Sequence, residues 1–367
     1  MSDIPMFDYL TQYRSLRADL LAGLETVIES GRLILGEQGQ RFERSFADYL
    51  GGQVSTVGVN SGTDALVVIL MAMGIGPGDE VITVANTAVP TVSAIRMVGA
   101  TPVFCDVSLH TALMDLDALP ALITERTRAV IAVHLFGNMV DIPRLRSLVA
   151  DRGVRVIEDC AQCHGATLNG AMAGTLGDAS AFSFYPTKNL GAYGDAGLAA
   201  SPDAALVKDM KRIRMYGFDG SYYAEREGIN TRLDEMQAAV LNIKLPHLVA
   251  AVERRRAIAE RYNNGLSARI ERVVANTGVR HAHHLYVVRV SARDHIKTAL
   301  AAQGIATGIH YPHPIHLMRG YHFLGYRPGS LPRTESLAQE LLSLPMYPEL
   351  ADAAVDRVIE AINSAVD

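Results

Sequence analysis

The chain has 367 residues, 49% hydrophobic and 20% charged, which supplies a large apolar core and excludes wholesale disorder, a collagen-like repeat or a disulfide scaffold. With 34 Lys and Arg against 39 Asp and Glu the net charge is −5, the wrong sign for a general nucleic-acid binder. Three cysteines form no disulfide framework, and the opening Met1-Ser2-Asp3-Ile4-Pro5 lacks the basic-then-apolar pattern of a signal peptide. The uncharged run 81–95 contains Asn86 and Pro90 and is shorter than the roughly 20 apolar residues of a membrane-spanning helix. These features predict a reduced, cytoplasmic protein with neither a membrane nor a nucleic-acid partner.

In chain order, 54–59 reads as a strand and 64–70 as the helix after it, ending near Gly74. A turn at Gly76-Pro77-Gly78-Asp79 leads to strand 80–84, and further apolar runs at 101–105, 129–133 and 154–157 read as strands. Near-continuous apolar strands separated by helices predict a parallel sheet covered on both faces. Ligands of such sheets bind at the carboxyl ends of the strands. Near Leu245-Pro246 the texture changes: a charged helix over 250–262, a strand pattern over 284–290, then a helix over 294–303. This predicts a large domain over 1–245 and a small α+β domain over 246–367.

Three segments carry chemistry. In Ser183-Phe184-Tyr185-Pro186-Thr187-Lys188, Pro186 disfavours a helix and leaves Lys188 on a tight loop among Gly191, Gly194 and Gly197. A loop lysine is ordinarily solvated; a desolvated one has a lowered pKa and attacks carbonyls. Asp159, 29 residues earlier, falls where a buried strand emerges. That is an ordinary N-cap position, and also the place for an anion facing a cationic ring nitrogen, as pyridoxal phosphate requires. Asn60-Ser61-Gly62-Thr63-Asp64 is a strand, a small-residue turn and a helix start. It is either a plain cap or a phosphate cup, with Ser183 as a second hydroxyl.

Together these segments resemble the DegT/DnrJ/EryC1/StrS family of nucleotide-sugar aminotransferases. The likeness continues through Gly31 to Gly36, Gly76 to Ile82, His134-Leu135-Phe136-Gly137, Gly228 to Glu235 and Ser343-Leu344-Pro345-Met346. It implies an α/β, aspartate-aminotransferase-like fold (fold type I): a large, mixed, mostly parallel sheet domain plus a small α+β C-terminal domain. It implies pyridoxal 5'-phosphate as cofactor, no metal, and catalysis by Lys188 and Asp159. Lys188 would bind the cofactor aldehyde and carry the proton, Asp159 would pair with the ring nitrogen, and Gln162 would bond the phenolic oxygen. Gly62, Thr63 and Ser183 would hold the phosphate, with Asn230 reaching the phosphate of a partner subunit in a homodimer with shared sites. Arg232 would support that loop or the substrate.

The implied reaction moves an amino group from glutamate to a nucleotide-linked keto sugar. The segment Ile309-His310-Tyr311-Pro312-His313-Pro314-Ile315-His316 resembles the 3-amino-sugar branch, so C3 of a 3-keto-6-deoxyhexose is the expected acceptor, with Tyr311 and His316 as substrate contacts. The alternatives are C4 amination of a 4-keto sugar, a dehydratase, which would keep histidine in place of Lys188, and a non-catalytic regulator. Two departures stand out. Ala88, in Asn86-Thr87-Ala88, falls where many relatives carry a ring-stacking aromatic, and Ser221 precedes Tyr222 where relatives often carry a basic residue. Cys160-Ala161-Gln162-Cys163-His164 matches a haem-attachment spacing, but small-residue packing is the better account. The histidines at 281, 283 and 284 are expected at the surface or near a bound anion.

Overall fold

The computed structural model describes residues 3–366. Its main sheet has seven strands in the spatial order Ser55–Val59, Gly197–Ser201, Ala179–Ser183, Arg155–Asp159, Thr127–Val133, Glu80–Val84 and Thr101–Cys105. Gly197–Ser201 runs antiparallel to both neighbours, and every other pair is parallel. The expected mixed, mostly parallel sheet is therefore present. Its inner strands have no polar edge to offer water: every residue of Glu80–Val84 and of Gly197–Ser201 is buried. Helix Gly62–Ala72 has an unbroken buried run from Ala65 to Leu70, because the sheet and other helices enclose it. Each fully buried Leu or Ile there contributes roughly 1.5–3 kcal/mol.

A second, three-stranded antiparallel sheet joins Glu271–Arg272, Tyr286–Arg289 and Leu341–Leu344. Helices Leu248–Gly265, Arg293–Ala302 and Asp352–Val366 pack around it, with Ile258, Tyr262, Leu300, Leu342 and Val358 in one core. The start of the chain joins this layer: Ile4 is buried in the same core and forms a parallel bridge with Ile305. Helix Tyr9–Ser30 then crosses to pack on Glu235–Lys244. A third small sheet pairs Val279–Arg280 with Thr167–Leu168, which in turn pairs with Ala171–Met172.

One long-range contact organises the amino-terminal side. Helix Glu37–Tyr49 begins at Gly36 without a side-chain cap of its own. The buried Glu235 carboxylate accepts the backbone N–H groups of Gly36, Gln38 and Gly39 at 2.9, 2.7 and 2.9 Å instead. It thus satisfies orphan donors and opposes the positive end of the helix dipole. A methyl on Gly39 would lie 2.7 Å from a Glu235 oxygen, so the helix start has room only for glycine there.

Candidate active site

Strand ends place the site. A cavity of about 250 Å3 opens at the carboxyl edge of the sheet. It is lined from Ser61 to Thr63 after the first strand, by Thr87 and Ala88 after Glu80–Val84, by His134 after Thr127–Val133, and by Asp159 and Ser183 at their strand ends.

The helix beginning at Gly62 has one amide capped by a side chain: Asp64 N–H donates to Ser61 Oγ at 3.1 Å. Ala65 N–H is taken by the Ser61 carbonyl at 3.0 Å. The amides of Gly62 and Thr63 are left for the cavity, where the dipole favours an anion. Close packing sets their position. A methyl on Gly62 would meet Ser183 Cβ at 2.7 Å, and one on Gly197 would meet the Ser61 carbonyl carbon at 2.2 Å. Ser183 Oγ accepts the Tyr185 N–H at 3.3 Å, which leaves its own proton free to donate.

Asp159 is not an N-cap. Its Oδ2 accepts the Thr91 hydroxyl at 2.8 Å and its Oδ1 the Ala161 N–H at 3.1 Å. Thr91 in turn contacts the Thr87 hydroxyl at 3.2 Å. Thr91 was not singled out in the sequence; helix Val89–Met97, entered through Pro90, carries it there, and no spacing rule announces a contact 68 residues away. Lys188 sits on a turn closed by its N–H to the Tyr185 carbonyl at 2.8 Å. Gly191 closes that turn, since a methyl would fall 2.4 Å from the Pro186 oxygen. The half-buried Lys188 ammonium has no hydrogen bond or ion pair among the described residues. Burial pushes its pKa down to about 8, although the nearby Asp159 and Cys163 pull it upward.

Gln162 is clamped at both ends. Its Oε1 accepts the Phe136 N–H at 2.8 Å and its Nε2 donates to Tyr311 Oη at 2.9 Å. Tyr311 therefore reaches the cavity wall, and burial pushes its phenol up to about 12, so it stays protonated. His316 is not brought to the cavity. It is buried, with Nε2 on Glu335 at 3.0 Å and its ring beside Phe104 and Tyr326. Asn230 is exposed on a segment bridged to Met215 and does not line this chain's own cavity. Arg232 lies over the Tyr216 ring, 5.9 Å from its centroid, with Nη1 on Met215 Sδ. Ser221 turns its hydroxyl onto Asp219 at 2.6 Å.

Beneath the site, buried Glu158 accepts the amides of Gly174, Leu176 and Gly177 and the Nε2–H of His134 at 2.9 Å. Val140 N–H donates to His134 Nδ1 at 3.1 Å, which assigns the His134 proton to Nε2. Burial would raise the Glu158 carboxyl, but these donors outweigh it and hold the pKa below the usual value. His134, Glu158 and Cys160 bring ligand atoms within 4.8 Å of one another, but both histidine nitrogens are already engaged. Cys160 and Cys163 are free and buried, and burial raises both thiols, which leaves them poor nucleophiles. His164 beside them packs against Phe46, Phe182 and Phe184. That is the packing role expected of this segment. The histidines at 281 and 284 are buried rather than at the surface, because 281–285 is strapped onto Phe136 and Gly137 by backbone hydrogen bonds.

A model of the DegT/DnrJ/EryC1/StrS aminotransferase family matches residues 14–363. The chain belongs to this family. It is 47% identical over 98% of both chains to a dTDP-3-amino-3,4,6-trideoxy-alpha-D-glucose transaminase of Micromonospora megalomicea subsp. nigra. It is 42% identical, over 98% of this chain and 97% of the relative, to a UDP-N-acetyl-3-dehydro-alpha-D-glucosamine 3-aminotransferase of Acidithiobacillus ferrooxidans. It superposes on S. venezuelae DesV in complex with a ketimine intermediate with a TM-score of 0.97 and 40% identity, covering 100% of this chain and 99% of that one. Solved relatives are described in pyridoxal- and pyridoxamine-phosphate forms. The protein is an aminotransferase of aspartate-aminotransferase-like fold, and its cofactor is pyridoxal 5'-phosphate.

The residues present fit that cofactor. Two free helix-start amides and the Ser183 hydroxyl suit a phosphate, Asp159 suits a protonated ring nitrogen, and the unpartnered Lys188 suits an aldehyde. Bound there, pyridoxal phosphate supplies a carbonyl to receive the amine and an electron-poor ring to delocalise the charge left by proton removal. The protein's part is proton placement. Lys188, whose pKa burial lowers to about 8, would give up and take back a proton at Nζ. Asp159 stays oriented by Thr91 and the Ala161 amide, and Gln162 is held rigid by Phe136 and Tyr311.

Proposed function

We propose that this enzyme transfers an amino group from glutamate to C3 of a nucleotide-linked 3-keto-6-deoxyhexose. One observation carries the reading: the free Gly62 and Thr63 amides, Asp159 and Lys188 line a single cavity in a chain 47% identical to a 3-amino-sugar transaminase. The two similar relatives carry dTDP and UDP substrates in their names, so the acceptor is defined here by its carbon rather than its nucleotide. Lys188 speaks against a dehydratase, and an assembled lysine, acid and anion cup would have no purpose in a regulator.

The working unit in this proposal is a homodimer with shared sites. Asn230 is exposed and away from its own cavity, as a residue serving a partner would be. Leu10, Ile28, Leu33 and Ile34 are also exposed, an apolar face that a second copy would cover. The division into domains 1–245 and 246–367 is part of the same proposal; the core around Ile258 and Leu342 supports it, although Ile4 from the start of the chain also packs there. No helix among the described residues is long and apolar enough to cross a membrane; a cytoplasmic location is part of the proposal.

The test is product analysis by NMR, with 3-keto and 4-keto nucleotide-linked 6-deoxyhexoses offered separately alongside glutamate. Amination of the 3-keto sugar is expected. Amination of the 4-keto sugar alone would overturn the C3 assignment and leave the aminotransferase standing.

A further inference from the structure

Helix Glu235–Lys244 grips the loop that follows Lys188 at two points. Gln237 Oε1 accepts the Tyr193 N–H at 2.9 Å. About two helical turns further on, and so on the same face, Lys244 Nζ donates to the Gly191 carbonyl. The second grip is a costly one. Lys244 is 6% exposed, and among the described residues its hydrogen bonding is limited to that carbonyl. Glu349 attracts the ammonium without closing to an ion pair, and burial pushes its pKa down to about 8 against that pull. The Tyr193 ring covers the charge, with Nζ 4.8 Å from its centroid, and packs in turn beside Tyr9 and Tyr13 of the first helix. A methionine would fill the same space without enclosing a charge, so packing alone does not account for a lysine here. What the ammonium adds is a donor long enough to reach a backbone carbonyl.

That carbonyl belongs to the residue that closes the catalytic turn against Pro186. The base of the loop is tied to the sheet: Ala192 N–H returns to the Phe184 carbonyl and Phe184 N–H to the Ala196 carbonyl, both at 2.8 Å. On one side Asn189 Nδ2 donates to the carbonyls of His164 and Ala282 at 3.4 and 3.1 Å. On the other side stand Gln237 and Lys244. Between them the Lys188 ammonium is held by nothing, so its place is set by the backbone of its turn. We propose that Lys244 is a positioning residue for the catalytic lysine: by drawing the Gly191 carbonyl onto the helix, it fixes the turn that presents Lys188 to the cofactor.

Two readouts test this, the rate at which apoenzyme takes up pyridoxal phosphate and the spectral pKa of bound cofactor. Lys244→Met keeps the length and removes the donor, and Lys244→Arg restores one. Gln237→Met, at a partly buried position, releases the other grip and serves in place of Lys244→Met should that variant not fold. Ile258→Val, in the separate carboxyl-terminal core, controls for lost stability alone. Lys244→Met is expected to slow uptake about tenfold and to move the spectral pKa by about half a unit or more. Gln237→Met should move both the same way, Lys244→Arg should recover part of each, and Ile258→Val should leave both as in the parent. Uptake within about twofold of the parent and a spectral pKa within about 0.2 unit of it in Lys244→Met, or in its substitute, would overturn the proposal. Shifts as large in Ile258→Val, or no recovery in Lys244→Arg, would make Lys244 a packing residue and overturn it as well.

Discussion

Gly62→Ala is the sharpest probe of how the anion cup is built. The added methyl would lie 2.7 Å from Ser183 Cβ, where ordinary contact begins near 3.4 Å, so the helix start and Ser183 must part by about 0.7 Å. The backbone of Gly62 is helical, so alanine brings no strain in φ and a helix-propensity gain of up to about 1 kcal/mol. Overpacking in a tight core costs about 1–3 kcal/mol, so the apoenzyme should lose at most about 3 kcal/mol of stability. Cofactor affinity has no such offset. The two free amides and the Ser183 hydroxyl sit on the two sides of that contact, and a hydrogen bond to a charged group is worth about 1.5–3 kcal/mol. Losing one predicts cofactor binding weaker by roughly 10- to 100-fold. Absorbance titration of apoenzyme with pyridoxal phosphate measures it, with thermal melting as the control. A cofactor Kd within about threefold of the parent in Gly62→Ala alone would refute the packing argument.

Other outcomes follow from the same geometry. Asp159→Asn keeps the shape but removes the charge, and turnover should fall at least about 100-fold, near 3 kcal/mol; a change below about fivefold would leave the acid a structural role. Thr91→Val removes one hydrogen bond to that carboxylate, and the spectral pKa of bound cofactor should move, with turnover down by about tenfold. In apoenzyme the Lys188 pKa lies near 8 rather than 10.5, so the unfolded chain binds more protons between those values. Stability should therefore rise with pH across that window, and Lys188→Met should lose part of the rise in melting temperature. Lys188→Ala and Asn230→Ala chains, each inactive alone, should regain activity after subunit exchange; no recovery would exclude a shared site.

The strands ending at Asp159, Val133 and Val84 were legible because an inner parallel strand is mostly apolar, with polar residues gathered towards its ends, as Glu158 and Asp159 are. The Lys188 turn was legible for a similar local reason, its proline and glycines. His316 was not. Its neighbours suggest a loop, and only the fold shows Glu335 drawing the imidazole inward. The buried histidines at 281 and 284 misled in the same way, since their burial comes from a strap onto Phe136 and Gly137. Thr91 and Glu235 act through partners 68 and 199 residues away, distances at which composition and periodicity carry no signal.

The carboxyl-terminal layer is attached to the rest of the chain at more than its peptide junction. Helix Leu248–Gly265 leads into it, Ile4 is laced to Ile305 ahead of helix Tyr9–Ser30, and Val279–Arg280 is paired with Thr167–Leu168. A body held at one point swings, whereas a body held at three separate points has no common hinge. Reactants must then enter this enzyme by movement of side chains and short loops at the cavity mouth, such as exposed Tyr185 and Asp195, and not by a gate that opens as a whole.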